Sequence, residues 1–358
     1  MPVTASKDYT SNRIEWIDTA KGICILLVVL HHCSQMMHEP YLFSRDVLTF
    51  RMPLYFILSG LFFKNYSPKV FLIKKTNKLL VPYVFFYTVT GVLIPVMVYR
   101  VFRYPMALYD YYGLEAVFSM FSERVIVNPS IWFLFCLFEV NVFFYCLFSL
   151  SKVFSKSHFA LGGLSLAFGI LGLYLAYKRI GLPYFLDSSL AMLPFFYFGY
   201  FLRNHTAILS SETSSKTVVY IIVYIVVTLS IIHCLNYGWF SVFENTYGGI
   251  KGCLQVYPYG MMGTLVVLLL SKLLGRIPVL SYLGRYSIIV LCVHFYVINS
   301  MRKCFNETIA NGSVRLLLVF LTTILVCLML IPFFKRYLAV FTAQRDLIKL
   351  DNRLSTKE

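Results

Sequence analysis

Lys21 and His32 are the residues of this chain whose types and spacing first suggest chemistry. Eleven residues separate them, about 1,100° of α-helix, which leaves them about 20° apart in azimuth. They therefore share one face of the first apolar segment, about 16.5 Å apart along its axis. A cation near one membrane surface and an imidazole deep in the bilayer could line a single cavity, the first holding an anion and the second moving a proton. A lysine that snorkels to headgroups and a histidine that packs with a hydrogen bond produce the same pattern, and spacing does not separate the two readings.

Other polar residues fall in apolar runs, where an ionisable group costs roughly 2.5–3.5 kcal/mol on translocon scales. The segment Arg51-Met52-Pro53-Leu54-Tyr55-Phe56-Ile57-Leu58-Ser59-Gly60 opens on a cation and closes on a small pair that permits close helix approach. Arg51 reads as interfacial, Ser59 and Gly60 as packing residues. Lys75 and Lys78, within the basic run Lys69–Lys78, lie one helical turn apart and could clamp a phosphate, although positive charge there also serves orientation. Trp132 and Glu139 share a helix face at spacing seven, and Glu139 is the acidic residue placed well inside an expected span. It is expected either to orient a catalytic group or to pair with another helix. Ser287 and His294 repeat the spacing of seven. Phosphate-binding glycine loops, the nucleophile elbow, H-E-x-x-H and clustered metal ligands do not occur in the sequence, so ATP-driven transport, hydrolase-fold catalysis and a bound catalytic metal are not leading readings.

The elements that must position these groups are membrane helices. Of 358 residues, 59% are hydrophobic and 13% charged, against about 25% charged in soluble domains. The expected architecture is all-α: a polytopic membrane bundle with about ten spans, at 21–38, 47–63, 79–99, 131–150, 159–177, 188–203, 217–235, 255–272, 280–299 and 315–334. With both termini cytoplasmic, 21 of the 32 Lys and Arg fall on the inner side and 11 on the outer. Positively charged loops resist translocation, so the +16 net charge is mainly an orientation signal and not a nucleic-acid footprint. Residues 1–20 form a cytoplasmic N-terminal segment, 21–334 the membrane domain, and 335–358 a cytoplasmic tail expected to hold a short surface helix. His31-His32-Cys33-Ser34-Gln35 after the first apolar run is no cleavage site, so that run is read as a retained helix. The aromatic stretch 100–130 is expected to lie at the outer interface. Nine scattered cysteines without a C-x-x-C pair point to core residues.

Taken together, Lys21-x10-His32, RMPLYFILSG at 51–60, KKTNKLLVPY at 74–83, Trp132-Phe133-Leu134, Gly199-Tyr200 and Gly284-x-x-Ser287 through His294 resemble the acyltransferase-3 family of integral-membrane O-acyltransferases. The similarity covers about 14–300. Departures include Lys21 where Arg is commoner, a His-His pair at 31–32, Lys75 and Lys78 in place of Arg-x-x-Arg, and Leu291 in place of Tyr. No segment corresponds to the family's extra soluble esterase-like domain. The resemblance implies a multi-pass protein of the cell membrane, here a bacterial cytoplasmic membrane. Its implied activity is transfer of an acyl group, acetyl by default and succinyl as another option, from cytoplasmic acyl-CoA to a hydroxyl of a cell-envelope glycan or lipid-linked sugar. His32 is then the general base, Glu139 a candidate orienting group, and Lys21, Lys75 and Lys78 the acyl-CoA phosphate ligands. Arg51, Ser59, Trp132, Ser287 and His294 line the acceptor pocket or hold structure. Acyl-CoA is a substrate, with no tightly bound cofactor and no metal.

Two other classes fit the same layout. A transporter or glycan-exporting permease would show paired broken helices in two related halves, and no such internal symmetry is apparent. A non-catalytic assembly partner would tolerate loss of both Lys21 and His32.

Overall fold

Where no water can satisfy the backbone, an apolar chain closes its hydrogen bonds within helices. The computed structural model describes residues 14–37, 50–94, 97, 128–154, 158–206, 208–209, 215–234, 240–241, 246–247, 249–306 and 309–350. In chain order the helices are α1 (Glu15–Met37), α2 (Arg51–Leu61), α3 (Pro68–Lys75), a π segment π1 (Thr76–Leu80), α4 (Val81–Phe86), a second π segment π2 (Tyr87–Leu93), α5 (Trp132–Phe154), α6 (His158–Tyr177), α7 (Leu186–His205), α8 (Ser215–Cys234), α9 (Gly249–Leu274), α10 (Pro278–Arg285), α11 (Ser287–Asn306) and α12 (Gly312–Tyr337). A 3-10 turn at Pro183–Phe185 leads into α7, and a two-residue hairpin, β1 (Phe240–Ser241) against β2 (Thr246–Tyr247), precedes α9. Seven helices among the described residues are long and apolar enough to cross a membrane: α1, α5, α6, α7 with its 3-10 lead-in, α9, α11 and α12.

The expected spans are adjusted in four places. α1 begins at Glu15, well before Lys21, and α2 is only 11 residues long. The span expected at 79–99 belongs to a longer helical run from Pro68 to Leu93, interrupted by both π segments. The one expected at 280–299 is split at Tyr286 into α10 and α11. Among the described residues the tail forms no helix after Tyr337 and runs through turns and bends to Leu350, while 351–358 lie outside the described residues. The aromatic stretch 100–130 lies outside the described residues apart from 128–130.

α1 and α7 occupy the centre. α1 packs most heavily on α10 and also meets α11, α9, α12 and α2, while α7 packs on α2, α6 and α5. Two crossings are made by glycine in both partners. A Cβ on Gly22 would stand 2.0 Å from the Leu280 carbonyl oxygen, and one on Gly284 1.8 Å from that of Asp18, which locks α10 onto α1. A Cβ on Gly60 would stand 1.9 Å from the Phe196 oxygen, and one on Gly199 1.9 Å from that of Ile57, which locks α2 onto α7. Without a hydrophobic drive between helices in lipid, such backbone approach is what holds them together. Around the centre, α6, α8 and α12 expose Phe159, Ile170, Val219, Val226, Leu325 and Met329, an apolar surface suited to acyl chains.

Polar contacts gather the basic helix ends at one end of the bundle. Arg203 donates to the Phe63 carbonyl at 2.8 Å, Lys272 to that of Ile208 at 3.2 Å, and Arg276 pairs with Glu15 at 3.1 Å. Thr19 donates to the Gly275 carbonyl at 2.8 Å.

Candidate active site

His32 lies on the last third of α1, and α11 brings His294 against it with ring centroids 5.2 Å apart. His32 keeps part of its surface accessible, whereas His294 is completely buried. His294 Nδ1 is 2.9 Å from the Val290 carbonyl oxygen. A carbonyl can only accept, so Nδ1 carries the hydrogen and Nε2 presents a lone pair. That Nε2 is buried and has no hydrogen-bond partner. Buried polar atoms are usually satisfied, so this nitrogen, beside a partly accessible imidazole, is available to a ligand's donor or to a proton in transit.

The surrounding groups come from three further directions. Phe295 meets the His32 ring edge-on at 6.1 Å, and His31 lies 5.3 Å away on the other side. Arg51 at the head of α2 is a charged neighbour of His32, and Gln35 hydrogen-bonds to it. Cys24 donates its thiol hydrogen to the Arg51 carbonyl at 2.9 Å. Tyr55, one turn on, places its hydroxyl by Cys24 and Ser287. Its ring lies 5.3 Å from Phe133 of α5. Arg51 thus neighbours His32, while Ser287 meets Tyr55 about two turns before His294 on α11. Trp132 is buried and packs on Phe185 at 5.7 Å, forming wall structure at the head of α5.

Two anchors hold this region in register. Arg302 donates to the Met36 carbonyl at 2.7 Å and to Asn299 Oδ1 at 3.2 Å, capping the end of the helix that carries His32. Asn128 donates to the Cys292 carbonyl at 2.8 Å, and Ser130 donates to that of Leu291 at 2.9 Å. The turn before α5 is thereby tied to the stretch of α11 just ahead of His294. Sequence reasoning gave these residues no role: Arg302 counted as a topogenic charge, and an Asn-Pro-Ser turn signals only a helix start.

The remaining candidates lie elsewhere. Glu139 accepts a 2.6 Å hydrogen bond from Ser189 of α7, inside the α5–α7 interface. Asn141 donates to Ser59 at 3.2 Å and to the Leu137 carbonyl at 2.7 Å, so Ser59 joins α2 to α5, in keeping with its packing role. Lys21 sits at the basic end, its Nζ 5.8 Å from the Phe62 ring centre. α1 is unbroken from Glu15 to Met37, so Lys21 and His32 do share a face. Lys75 is half-buried at the α3–π1 junction with Nζ 5.7 Å from the Phe71 ring, and Lys78 is exposed. Burial first, and the charge of Lys78 second, push the Lys75 ammonium down to about 8. A partly buried lysine with a second cation close by is poised to take up an anion that offsets the repulsion.

Among the described residues no three or more His, Cys, Asp or Glu side chains converge as metal ligands. Five cysteines are buried and none is paired with another, as expected of core residues.

Neither a curated relative nor a solved structure matches the chain. The sequence profile described as an acyltransferase domain, that of the acyltransferase-3 family, matches residues 14–332. That stretch takes in the Lys21–His32 helix, the basic Lys75–Lys78 segment and the helix carrying His294. With nearly the whole membrane bundle matched, the chain belongs to the acyltransferase-3 family of membrane acyltransferases.

Proposed function

We propose that this protein moves an acyl group, acetyl in the simplest case, from cytoplasmic acyl-CoA to a hydroxyl of a cell-envelope glycan or lipid-linked sugar. The single observation that carries the reading is the juxtaposition of partly accessible His32 with the unpartnered His294 nitrogen, 5.2 Å between ring centres. Ten spans with both termini cytoplasmic complete the topology. In that orientation the basic end bearing Lys21, Lys75 and Lys78 faces the donor, and the His32 level faces the acceptor.

The phosphates of acyl-CoA are held by Lys21, Lys75 and Lys78, and the thioester reaches into the bundle along the α1 face. Neutral His32 takes the proton of the acceptor hydroxyl. The hydroxyl oxygen bonds to the thioester carbon, the carbon–sulfur bond breaks, and CoA leaves as a thiol with the proton delivered by His32. His294 holds His32 in the reactive tautomer by offering its Nε2 lone pair to the His32 N–H. The orienting part that position in the sequence suggests for Glu139 passes to His294; Glu139 is left to align α5 on α7 through Ser189. Arg51, beside His32, stabilises the developing oxyanion.

The test is acyl transfer in membranes carrying the wild type or His32→Ala at matched insertion. Labelled acetyl-CoA and mass spectrometry of the envelope glycans give the readout. The reading predicts a mass increment on the glycan that disappears with His32→Ala. Full-rate transfer by that variant, or glycan movement without CoA, would sink it.

A further inference from the structure

The C-terminal segment does not drift away from the bundle. After Tyr337 it folds back: Gln344 and Arg345 both donate their backbone N–H to the Ala339 carbonyl, at 2.9 and 3.1 Å. Ala343 takes a left-handed φ of 58° to make the turn. The Phe341 ring stacks on Phe85 of α4 with centroids 4.3 Å apart and planes 12° from parallel. The chain then passes along π1, where Asn77 grips it. The Asn77 amide donates to the Ile348 carbonyl at 2.8 Å and accepts from the N–H groups of Ile348 at 2.9 Å and Leu347 at 3.2 Å. Asn77 is 2% exposed, so the amide that holds the strap is fixed within the bundle, while Leu347 and Ile348 keep exposed side chains.

Asn77 stands between Lys75 and Lys78, and the residue after the gripped Ile348 is Lys349. Fixing both polar groups of Ile348 fixes the start of Lys349, about 3.8 Å further along the chain. The backbone of a third lysine is thereby anchored on the same turn that carries Lys78 and follows Lys75, within reach of a flexible side chain. Lys74, the other lysine here, lies over the Tyr66 ring at 3.5 Å, and Arg345 and Asp346 are exposed on the same segment. Among the described residues no carboxylate is ion-paired with Lys75, Lys78 or Lys349. Lysines on π1 and on the strap clipped to it, with no carboxylate paired to them among the described residues, suit a polyanion.

We infer that residues 339–350 form a strap that completes an organic-phosphate site, Lys349 joining Lys75 and Lys78 around the diphosphate or 3′-phosphate of acyl-CoA. Asn77 is the positioning residue that clips the strap in place. This rests on the acyl-CoA reading above. The same chemistry could be supplied by the phosphate of an anionic lipid headgroup, so the test separates the two sources.

The full chain is reconstituted in nanodiscs of phosphatidylcholine, and CoA and 3′-dephospho-CoA are titrated calorimetrically. Lys349→Gln, at an exposed side chain, and Asn77→Ala are each expected to weaken CoA binding roughly tenfold, the loss of one charge-assisted contact. The double variant is expected to be no weaker than Asn77→Ala alone, because Lys349 acts only from a clipped strap. Lys178→Gln, on the loop after α6, is expected to bind as wild type. If wild type binds no CoA, the acyl-CoA reading fails and the strap proposal with it. Unchanged CoA binding by both variants overturns the strap alone. Additive losses overturn Asn77 as its positioner. An effect seen only in nanodiscs containing phosphatidylglycerol assigns the site to lipid and overturns the CoA assignment.

Discussion

Removing the His294 imidazole separates a residue that orients the base from one that merely fills space. His294 is wholly buried, its Nδ1 hydrogen is committed to Val290, and its remaining nitrogen has no hydrogen-bond partner, with His32 5.2 Å away between ring centres. A group that orients a reacting imidazole without touching substrate is worth roughly 10–100-fold when removed. The general base itself is worth roughly 10²–10⁴-fold. Turnover should therefore fall about 10–100-fold in His294→Ala and further in His32→Ala. The KM for acyl-CoA should stay within about twofold in both, since the phosphate ligands lie at the other end of α1. The double variant should be no slower than His32→Ala, because an orienting group has nothing left to orient. His294→Gln, which preserves most of the volume, guards against a packing artefact. The assay follows thiol release from acetyl-CoA by purified protein in nanodiscs, with an envelope glycan fraction as acceptor and size-exclusion profiles as the folding control. Losses that multiply in the double variant, or full turnover in His294→Ala, would refute the coupling of the two rings.

Lys75, with its proton affinity lowered from the ordinary 10.5 to about 8, should make acyl-CoA binding pH-dependent. KM is expected to rise as pH passes about 8 and the ammonium discharges, and Lys75→Met should flatten that rise. Stability runs the other way: from about 8 to 10.5 the unfolded chain holds the proton that the folded chain has lost, so stability gained by deprotonation increases with pH in that window. Gly60→Ala would place a methyl 1.9 Å from the Phe196 oxygen and should cost roughly 1–3 kcal/mol by forcing α2 off α7, while Gly163→Ala, with nothing within 4 Å, should leave the thermal midpoint unchanged or slightly raised. Arg302→Ala removes the cap on α1 and should cost roughly 1.5–3 kcal/mol, with turnover falling more than acyl-CoA binding because the loosened end carries His32.

Some of this was legible in the sequence because it depends on local pattern. Hydropathy located the long spans, since length and apolarity alone decide whether a helix can cross a bilayer. The shared face of Lys21 and His32 followed from helix period and needed only that α1 be unbroken, which it is. Less local features were misjudged. The break at Tyr286, flanked by Arg285 and Ser287, falls inside what hydropathy reads as one span, and the π segments carry no sequence signal of their own. The mixed charge of the tail suggests a short surface helix, but as far as Leu350 its described residues turn back instead onto Asn77 and Phe85.

The site itself divides along the same line. Sequence by itself determined that an imidazole sits deep in a membrane helix with a cation below it. It also placed His294 seven residues after Ser287 on one face. Only tertiary structure decided that His294 faces His32, that Glu139 meets Ser189, and that the tail returns to the lysines. These pairings span as many as 271 residues and hinge on which helix faces meet. Here that is fixed by backbone approach at Gly22, Gly60, Gly199 and Gly284, whose close contacts exist only once the partner helix is in place.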